Sequence, residues 1–137
     1  MSRVYYNGAL GALVMCDVSN QQSIDGATKW KHNIDERILF DGKKIPVFLV
    51  GNKIDLITDK NEIEDLKERF TAICTTEEFD GFALVSAKAN INLTDCFNDL
   101  AVKILERFEK VLSVNVLEQH TDIDISLTQQ SNNNNCC

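Results

Sequence analysis

The sequence is poor in proline, histidine and basic charge. Its 137 residues include one proline, two histidines, and 14 lysines and arginines against 21 aspartates and glutamates, which gives a net charge of −7. Nucleic acids are bound through a basic face that displaces counterions, so this balance argues against a nucleic-acid-binding protein. The two histidines, His32 and His120, stand alone in the sequence and suggest no metal site.

Long apolar runs are also missing. No run reaches the roughly 18 apolar residues expected of a membrane-spanning helix. The first residues lack the basic start and apolar stretch of a secretory signal, so we expect the five cysteines to lie in the reducing cytosol. Cys16, Cys74 and Cys96 fall within apolar patterns and are expected to be small buried residues.

Apolar runs and helical patterns alternate along the chain. The three runs, each predicted to be a buried strand, are Leu10 to Cys16, Pro46 to Val50, and Gly81 to Val85. Alternating strands and helices imply right-handed crossovers and a parallel sheet with helices on its faces. The length suits one α/β domain, and a polar, unstructured tail is predicted after Ser113.

Each helical pattern has a candidate start. Ser23 and Asn92 are predicted N-caps, and Asn61 with Glu64 has the spacing of a capping box. Trp30 is predicted to belong to the core. The third helix has the clearest predicted apolar stripe, consisting of Leu93, Phe97, Leu100, Ile104, Phe108 and Val111.

Polar clusters follow all three predicted strands. They are Asp17, the group from Asn52 to Asp55, and the Ser86-Ala87-Lys88 group. Ligands of parallel sheets bind beyond the carboxyl ends of the strands, so these clusters predict a binding site. Asp17 itself is expected to be a structural strand-end residue.

The second cluster has the chemistry to recognise guanine. One carboxylate, here Asp55, can accept both the N1–H and the 2-amino donors of guanine, a pair that adenine lacks. Asn52 can donate and accept nearby, and the stem of Lys53 can lie against a ring. Read by itself, the same stretch is also compatible with an ordinary polar turn.

Asn-Lys-x-Asp followed by Ser-Ala-Lys resembles the guanine-recognition half of the small GTPases. The resemblance implies that Asp55 pairs with the base, that the amide of Ala87 contacts the guanine carbonyl, and that Lys88 packs on the base. It thereby assigns GTP or GDP, through its base, to a site made by Asn52, Lys53, Asp55, Ser86, Ala87 and Lys88.

Residues 1–112 look like the Rab GTPases, membrane-anchored regulators of vesicle and organelle trafficking. The similarity includes the stretches 5–9 and 17–19, although Asn7 stands where many Rabs carry arginine. Trp30, Lys31 and residues 42–46 resemble the Rab subgroup linked to lysosome-related organelles. The terminal Cys136-Cys137 matches the ending on which Rabs are geranylgeranylated, which implies a location on the cytoplasmic face of membranes.

The tail favours two lipid chains over one. A single chain gives only marginal membrane binding, and a stable anchor needs a second chain or a basic patch. From Val114 onward there is no lysine or arginine, and the acidic residues there would be repelled by an anionic leaflet. Both Cys136 and Cys137 are therefore predicted lipidation sites.

The phosphate-binding half of the family pattern is not found. There is no glycine-rich loop ending in Lys-Ser or Lys-Thr, no first-switch threonine and no Asp-x-x-Gly-Gln segment, so a magnesium site is not expected. The sequence therefore resembles the C-terminal part of a doubly wound GTPase domain. We expect residues 1–113 to be a partial domain with three parallel strands and three main helices, and residues 114–137 to be a prenylated tail.

Two functions fit this pattern. The first is a truncated Rab-type GTP-binding protein in which GTP hydrolysis is not expected to run. The second is a nonenzymatic interaction partner or decoy for Rab escort and prenylation proteins. In the family order another strand lies beside Leu10 to Cys16, so this strand is expected to be an uncovered sheet edge.

Overall fold

A computed structural model describes the backbone of residues 8–119 and the side chains of residues 8–111. Its elements are β1 (Ala12–Asp17), α1 (Gln21–Arg37), β2 (Leu39–Phe40), β3 (Lys43–Lys44), β4 (Val47–Asn52), a 3-10 helix (Ile54–Leu56), α2 (Lys60–Glu77), β5 (Gly81–Leu84) and α3 (Leu93–Gln119). The predicted alternation of strands and helices is confirmed. Cys136, Cys137 and the rest of the predicted tail beyond Gln119 lie outside the described residues.

The main sheet is parallel and has the strand order β1-β4-β5. Ala12 lies opposite Val47, and Phe48 lies opposite Gly81. The central strand β4 is buried from Val47 to Gly51, as expected of a parallel strand covered on both faces. The predicted α/β fold with three parallel strands and three main helices is therefore confirmed.

The core beneath α3 differs in one residue from the predicted stripe. Cys96 and Leu100 pack with Phe48, Val50 and Val85, whereas the side chain of the predicted core residue Phe97 is 58% exposed. Positions 96 and 97 are both compatible with the spacing of Leu93 and Leu100, but they lie about 100° apart around the helix. The prediction for Phe97 is wrong because the helix turns Cys96 to the sheet.

Helices α1 and α2 are capped by other residues than the predicted ones. Asn20, not Ser23, caps α1 by accepting hydrogen bonds from the N–H groups of Gln22 and Ser23. Asp59, not Asn61, caps α2 and accepts a bond from the N–H of Asn61. Ser23 instead accepts a bond from the N–H of Asp17 with its hydroxyl, at 2.9 Å.

Asn92 directly precedes α3, but its side chain has a different role from the predicted cap. Its Nδ2 donates to the carbonyl of Leu84 at 2.9 Å, and its backbone is left-handed with φ of 60°. Asparagine tolerates this conformation better than most residues. The side chain therefore fastens the start of α3 to the end of β5.

A buried lysine and an exposed tryptophan follow one another in α1. Trp30 is 45% exposed, so the prediction that it belongs to the core is wrong. Lys31 is 2% exposed, and its ammonium group pairs with Asp35 and lies 5.8 Å from the centre of the Phe79 ring. A buried ammonium requires such a partner, because desolvation without one is costly.

The three cysteines of the described part are free thiols in buried or half-buried positions. Cys16 and Cys96 are buried, and Cys74 is half-buried. Burial raises the pKa of the Cys16 and Cys74 thiols to about 11, so both stay protonated near neutral pH. The prediction of small buried residues is confirmed for Cys16 and Cys96.

A short hairpin that the sequence reasoning missed joins α1 to β4. β2 and β3 pair in antiparallel register around Asp41 and Gly42, whose φ angles are 51° and 74°. Two successive positive φ angles are typical of the type I′ turn, for which Asp-Gly is a favoured sequence.

Two further features concern the helices. Helix α3 continues to Gln119, so the prediction of an unstructured tail directly after Ser113 is wrong for residues 114–119. The predicted domain boundary between residues 113 and 114 stays a prediction. Within residues 8–119, no helix has both the length and the apolar character needed to cross a membrane.

Two glycines provide a matched stability test. A Cβ at Gly51 would lie 2.8 Å from both Phe70 Cε2 and Val18 Cγ1, whereas a Cβ at Gly26 has no heavy atom within 4 Å. We expect Gly51→Ala to lower the free energy of unfolding by about 1–3 kcal/mol through overpacking. Gly26→Ala should raise it by about 0.5–1 kcal/mol, because Gly26 lies inside a helix. Urea unfolding measures the free energy of unfolding of both variants. Equal changes in this free energy would contradict the close packing around Gly51.

Candidate functional site

Backbone hydrogen bonds join the ends of β4 and β5. The N–H of Val85 donates to the carbonyl of Gly51 at 2.7 Å, and the N–H of Ile54 donates to the carbonyl of Val85 at 3.2 Å. The loops that follow the two strands therefore start side by side. Together with the end of β1 they form the rim, which consists of Asp17, residues 52–55 and residues 86–88.

Lys53 turns toward the first strand. Its backbone is left-handed, with φ of 72°, and its Nζ lies 2.8 Å from Oδ2 of Asp17. The other oxygen of Asp17 accepts from the N–H and the hydroxyl of Ser19, at 2.9 and 2.6 Å. The hydrogen bond from Lys53, followed by those from Ser19, lowers the pKa of the Asp17 carboxyl to about 2.

Asp55 is held in place by a buried hydroxyl. The Oγ–H of Ser86, which is fully buried, donates to Oδ1 of Asp55 at 2.7 Å. The same Oγ accepts from the N–H of Ala89 at 3.1 Å, so the hydroxyl is fixed on both sides. Asp55 is exposed, and no described residue donates a hydrogen bond to its Oδ2. The result is an oriented carboxylate at the surface of the rim, able to accept from a ligand.

Asn52 connects the two loops. Its Oδ1 accepts from the N–H of Ala87 at 3.0 Å. This is the amide that the family resemblance assigns to the guanine carbonyl, so a bound base has to share or displace this bond. Lys88 follows on the exposed part of the same loop.

Two asparagines, Asn90 and Asn92, shape the loop after β5. They were not connected with the site in the sequence analysis. Ser86 and Ile91 exchange two backbone bonds, of 3.2 and 2.9 Å, and Asn90 between them is left-handed with φ of 54°. The stretch Asn90-Ile91-Asn92 could have indicated this turn in the sequence, since asparagine favours such turns.

The six predicted guanine-site residues thus lie at one end of the sheet. Four of them form two hydrogen-bonded pairs, and the other two are Lys53 and Lys88. Asn52 pairs with Ala87, and Asp55 pairs with Ser86. Lys53 pairs instead with Asp17, which is more than the structural strand-end residue expected, because it positions a predicted site residue. Their assignment to guanine stays a prediction.

A second polar region lies elsewhere on the molecule. A cleft of about 380 Å³ is lined mainly by charged residues, among them Lys31, Asp35, Lys44 and Asp80. Lys44 and Asp80 precede β4 and β5, so the cleft lies at the opposite end of the strands from the rim. Asp35 pairs with both lysines and Asp80 with Arg107, which makes the cleft an ion-pair network that supports the fold.

Comparison with known proteins supports the family pattern. The sequence profile of the Ras family matches residues 1–106. The chain is 32% identical over 143 residues to the Ras-related protein Rab-32 of Homo sapiens, an alignment that covers 100% of this chain and 60% of the relative. For Rab-32 of Sus scrofa the identity is 31% over 138 residues, covering 100% and 59%.

A relative from a third organism gives a similar result. The Ras-related protein Rab-32B of Dictyostelium discoideum is 34% identical over 107 residues, covering 77% of this chain and 40% of the relative. The chain therefore spans three fifths or less of the length of these curated relatives.

The contact between Lys53 and Asp17 can be tested by titration. The pKa of Asp17 is below its ordinary value of 3.8, so its contribution to stability is present above about pH 3.8 and is lost as the pH falls toward 2. In Lys53→Met we expect this pKa to rise toward 3.8, as measured by NMR of the carboxyl carbon. Lys67→Met, which removes a lysine paired with Glu64, is the control and should leave it near 2. An unchanged pKa in Lys53→Met would contradict the geometry.

Proposed function

Because this chain belongs to the Ras family, as a Rab-type small GTPase, we propose that it binds guanine nucleotide by its base and regulates vesicle or organelle trafficking from a membrane. The observation that carries this proposal is the carboxylate of Asp55, oriented by the fully buried hydroxyl of Ser86. The other site residues are assigned by the match to the family motifs.

The proposed recognition step is a pair of hydrogen bonds to one carboxylate. Guanine presents N1–H and its 2-amino group to Asp55, whose bond with Ser86 leaves lone pairs free on both oxygens. Adenine presents an unprotonated ring nitrogen there, which repels the carboxylate. The stem of Lys53, whose ammonium group is anchored by Asp17, is proposed to lie along one face of the base.

The phosphates have no assigned residues in this sequence. The 137 residues contain no glycine-rich loop ending in Lys-Ser or Lys-Thr, which supplies most phosphate contacts in P-loop proteins. Among residues 8–111, whose side chains are described, there is no group of three or more His, Cys, Asp or Glu placed to bind a metal ion, and the proposal assigns magnesium no ligand there. We therefore propose weak binding through the base and no hydrolysis by these residues.

We also propose that Cys136 and Cys137 each carry a geranylgeranyl lipid. Two chains are needed because residues 114–137 contain no lysine or arginine that could act as a second membrane signal. Each buried methylene contributes about 0.8 kcal/mol, so two chains outweigh the repulsion between an acidic tail and an anionic leaflet. The anchored chain would lie on the cytoplasmic face of a membrane.

A second function is favoured by one contact. The N–H of Ala87 is already bonded to Asn52, so a base gains no new partner there without losing an existing one. Together with the missing phosphate loop, this favours a chain that acts without nucleotide, as an interaction partner or decoy for Rab escort and prenylation proteins.

Titration with fluorescent GDP and ATP analogues tests the first function. We expect weak binding that prefers guanine, and Asp55→Asn should reduce this preference by about tenfold or more, because an amide places a donor against a guanine donor. Asp65→Asn, the same change at an exposed position of α2, is the control and should keep the preference. Binding without base preference would refute the site, and no binding at all would favour the second function.

Membrane fractionation of a tagged chain tests the anchor. Cys136→Ser or Cys137→Ser should leave partial, reversible membrane binding, and the double variant should move to the cytosol. Cys74→Ser, at a half-buried free cysteine, is the control and should remain on membranes. If the double variant stays bound as strongly as the parent chain, the lipid anchor is wrong.

A further inference from the structure

Near the rim, two backbone carbonyls of the chain that continues β5 point away from β4. Val85 faces β4, because its N–H donates to the carbonyl of Gly51 and its own carbonyl accepts from the N–H of Ile54. Backbone direction alternates along an extended chain, so the carbonyls of Leu84 and Ser86 point to the other side. On that side β5 has no neighbouring strand within residues 8–119. The partners of these two carbonyls have to come from elsewhere.

The loop after β5 provides the partner of Ser86 by turning back on itself. Ser86 and Ile91 exchange two backbone hydrogen bonds, of 3.2 and 2.9 Å, as a hydrogen-bonded pair of an antiparallel ladder does. In such a ladder the next hydrogen-bonded pair lies two residues further along each arm. A ladder continued in this way would pair Leu84 with Leu93.

Asn92 replaces the pair that this ladder lacks. Leu93 is the first residue of α3, and the carbonyl of Asn92 accepts from the N–H of Cys96 at 3.1 Å, as in a first helical turn. The carbonyl of Leu84 accepts instead from Nδ2 of Asn92, at 2.9 Å. A side-chain amide therefore takes the place of a backbone donor where the chain leaves the ladder for the helix.

This position combines two requirements that asparagine meets. The backbone of Asn92 is left-handed, with φ of 60°, a conformation that glycine and asparagine adopt more readily than other residues. Glycine has no side-chain donor, and an ionised aspartate of the same size can only accept hydrogen bonds. Asparagine provides both the backbone conformation and the donor.

The closed loop fixes the hydroxyl that orients the rim carboxylate. Through its backbone Ser86 is paired with Ile91, and through its Oγ–H it donates to Oδ1 of Asp55 at 2.7 Å. Asp55 is exposed, and among the described residues Ser86 is the one that donates to its carboxylate. The orientation of Asp55 therefore follows the position of Ser86.

We propose that Asn92 is a positioning residue of the rim, which holds Asp55 in its base-accepting orientation before a ligand binds. It acts by closing the loop that carries Ser86, so that the Ser86 hydroxyl has one position. The inference rests on the proposed function, because it adds to that function the residue that keeps the guanine-selecting carboxylate ordered.

An ordered carboxylate matters for selectivity as well as for affinity. Guanine can pair with both oxygens of Asp55 in one orientation only, and ordering a mobile side chain during binding lowers affinity. A mobile Asp55 can also turn away from the unprotonated ring nitrogen of adenine, which removes the repulsion that excludes this base. Loss of the Asn92 bond should therefore reduce the preference for guanine, not only the strength of binding.

Asn90 offers a matched control in the same loop. Its backbone is also left-handed, with φ of 54°, but its side chain is exposed and has no hydrogen bond to a described residue. Asn90→Gly and Asn92→Gly both keep an allowed backbone and both add the freedom of one glycine to the unfolded chain. They differ in the bond to Leu84. Asn92→Asp removes the same donor without adding a glycine.

NMR of the full 137-residue chain without nucleotide tests the positioning. From Hα–Hβ couplings we expect one χ1 rotamer of Asp55 in the parent chain and in Asn90→Gly, and several in Asn92→Gly and Asn92→Asp. The amides of Ala89 and Ile91 should exchange about fivefold faster in both Asn92 variants. Averaged couplings already in the parent chain, or one rotamer in both Asn92 variants, would overturn the proposal.

Cooperative urea unfolding shows which of these variants fold. If neither Asn92 variant folds while Asn90→Gly does, the bond to Leu84 supports the whole domain, and a role specific to the rim is refuted.

Titration with the fluorescent GDP and ATP analogues gives a second readout. Asn92→Gly should reduce the preference for guanine about threefold or more, whereas Asn90→Gly should keep it. An equal loss of affinity for both analogues would indicate a merely structural role and overturn the proposal. If the parent chain has no base preference, the proposed function fails, and the rotamers of Asp55 without nucleotide still decide whether Asn92 positions this side chain.

Discussion

The rim depends on the backbone bond from Val85 to the carbonyl of Gly51. This bond holds the ends of β4 and β5 in register and brings two motifs, more than thirty residues apart in the chain, into one place. Side-chain bonds then add to a geometry that the sheet already sets: Ser86 orients Asp55, and Asn52 ties down Ala87. Gly51 is required at this point because Phe70 and Leu84 pack closely against its backbone.

Asn52 and Asp55 contribute to the rim in different ways. The bond between Asn52 and Ala87 uses a donor that the family assigns to the base, so binding there exchanges one hydrogen bond for another. Asp55 has no protein hydrogen bond to give up at its Oδ2, since no residue in the described part of the chain donates to that oxygen. Under the proposed function, base selectivity rests on one carboxylate, and it can persist where affinity is low.

Sequence patterns predicted the strands and the rim well, because buried parallel strands are continuous apolar runs and their carboxyl ends share one side of the sheet. They failed where two residues close in sequence fit equally, as with Cys96 and Phe97 under α3 or Asn20 and Ser23 near the start of α1. The Asp41-Gly42 turn could have been predicted from its residues alone. The contact between Lys53 and Asp17 could not, because it joins residues 36 positions apart and depends on the left-handed backbone of Lys53.

The small hairpin of β2 and β3 has a consequence for how the chain folds. β1 pairs with β4 only after the whole of α1 and the connection behind it have been brought back across the sheet, and such non-local pairing is slow. A hairpin closed by Asp41 and Gly42 needs no distant partner and can form within microseconds. By reversing the chain just ahead of β4, it shortens the search that β4 makes for β1, so the turn acts on the rate of folding more than on the final stability.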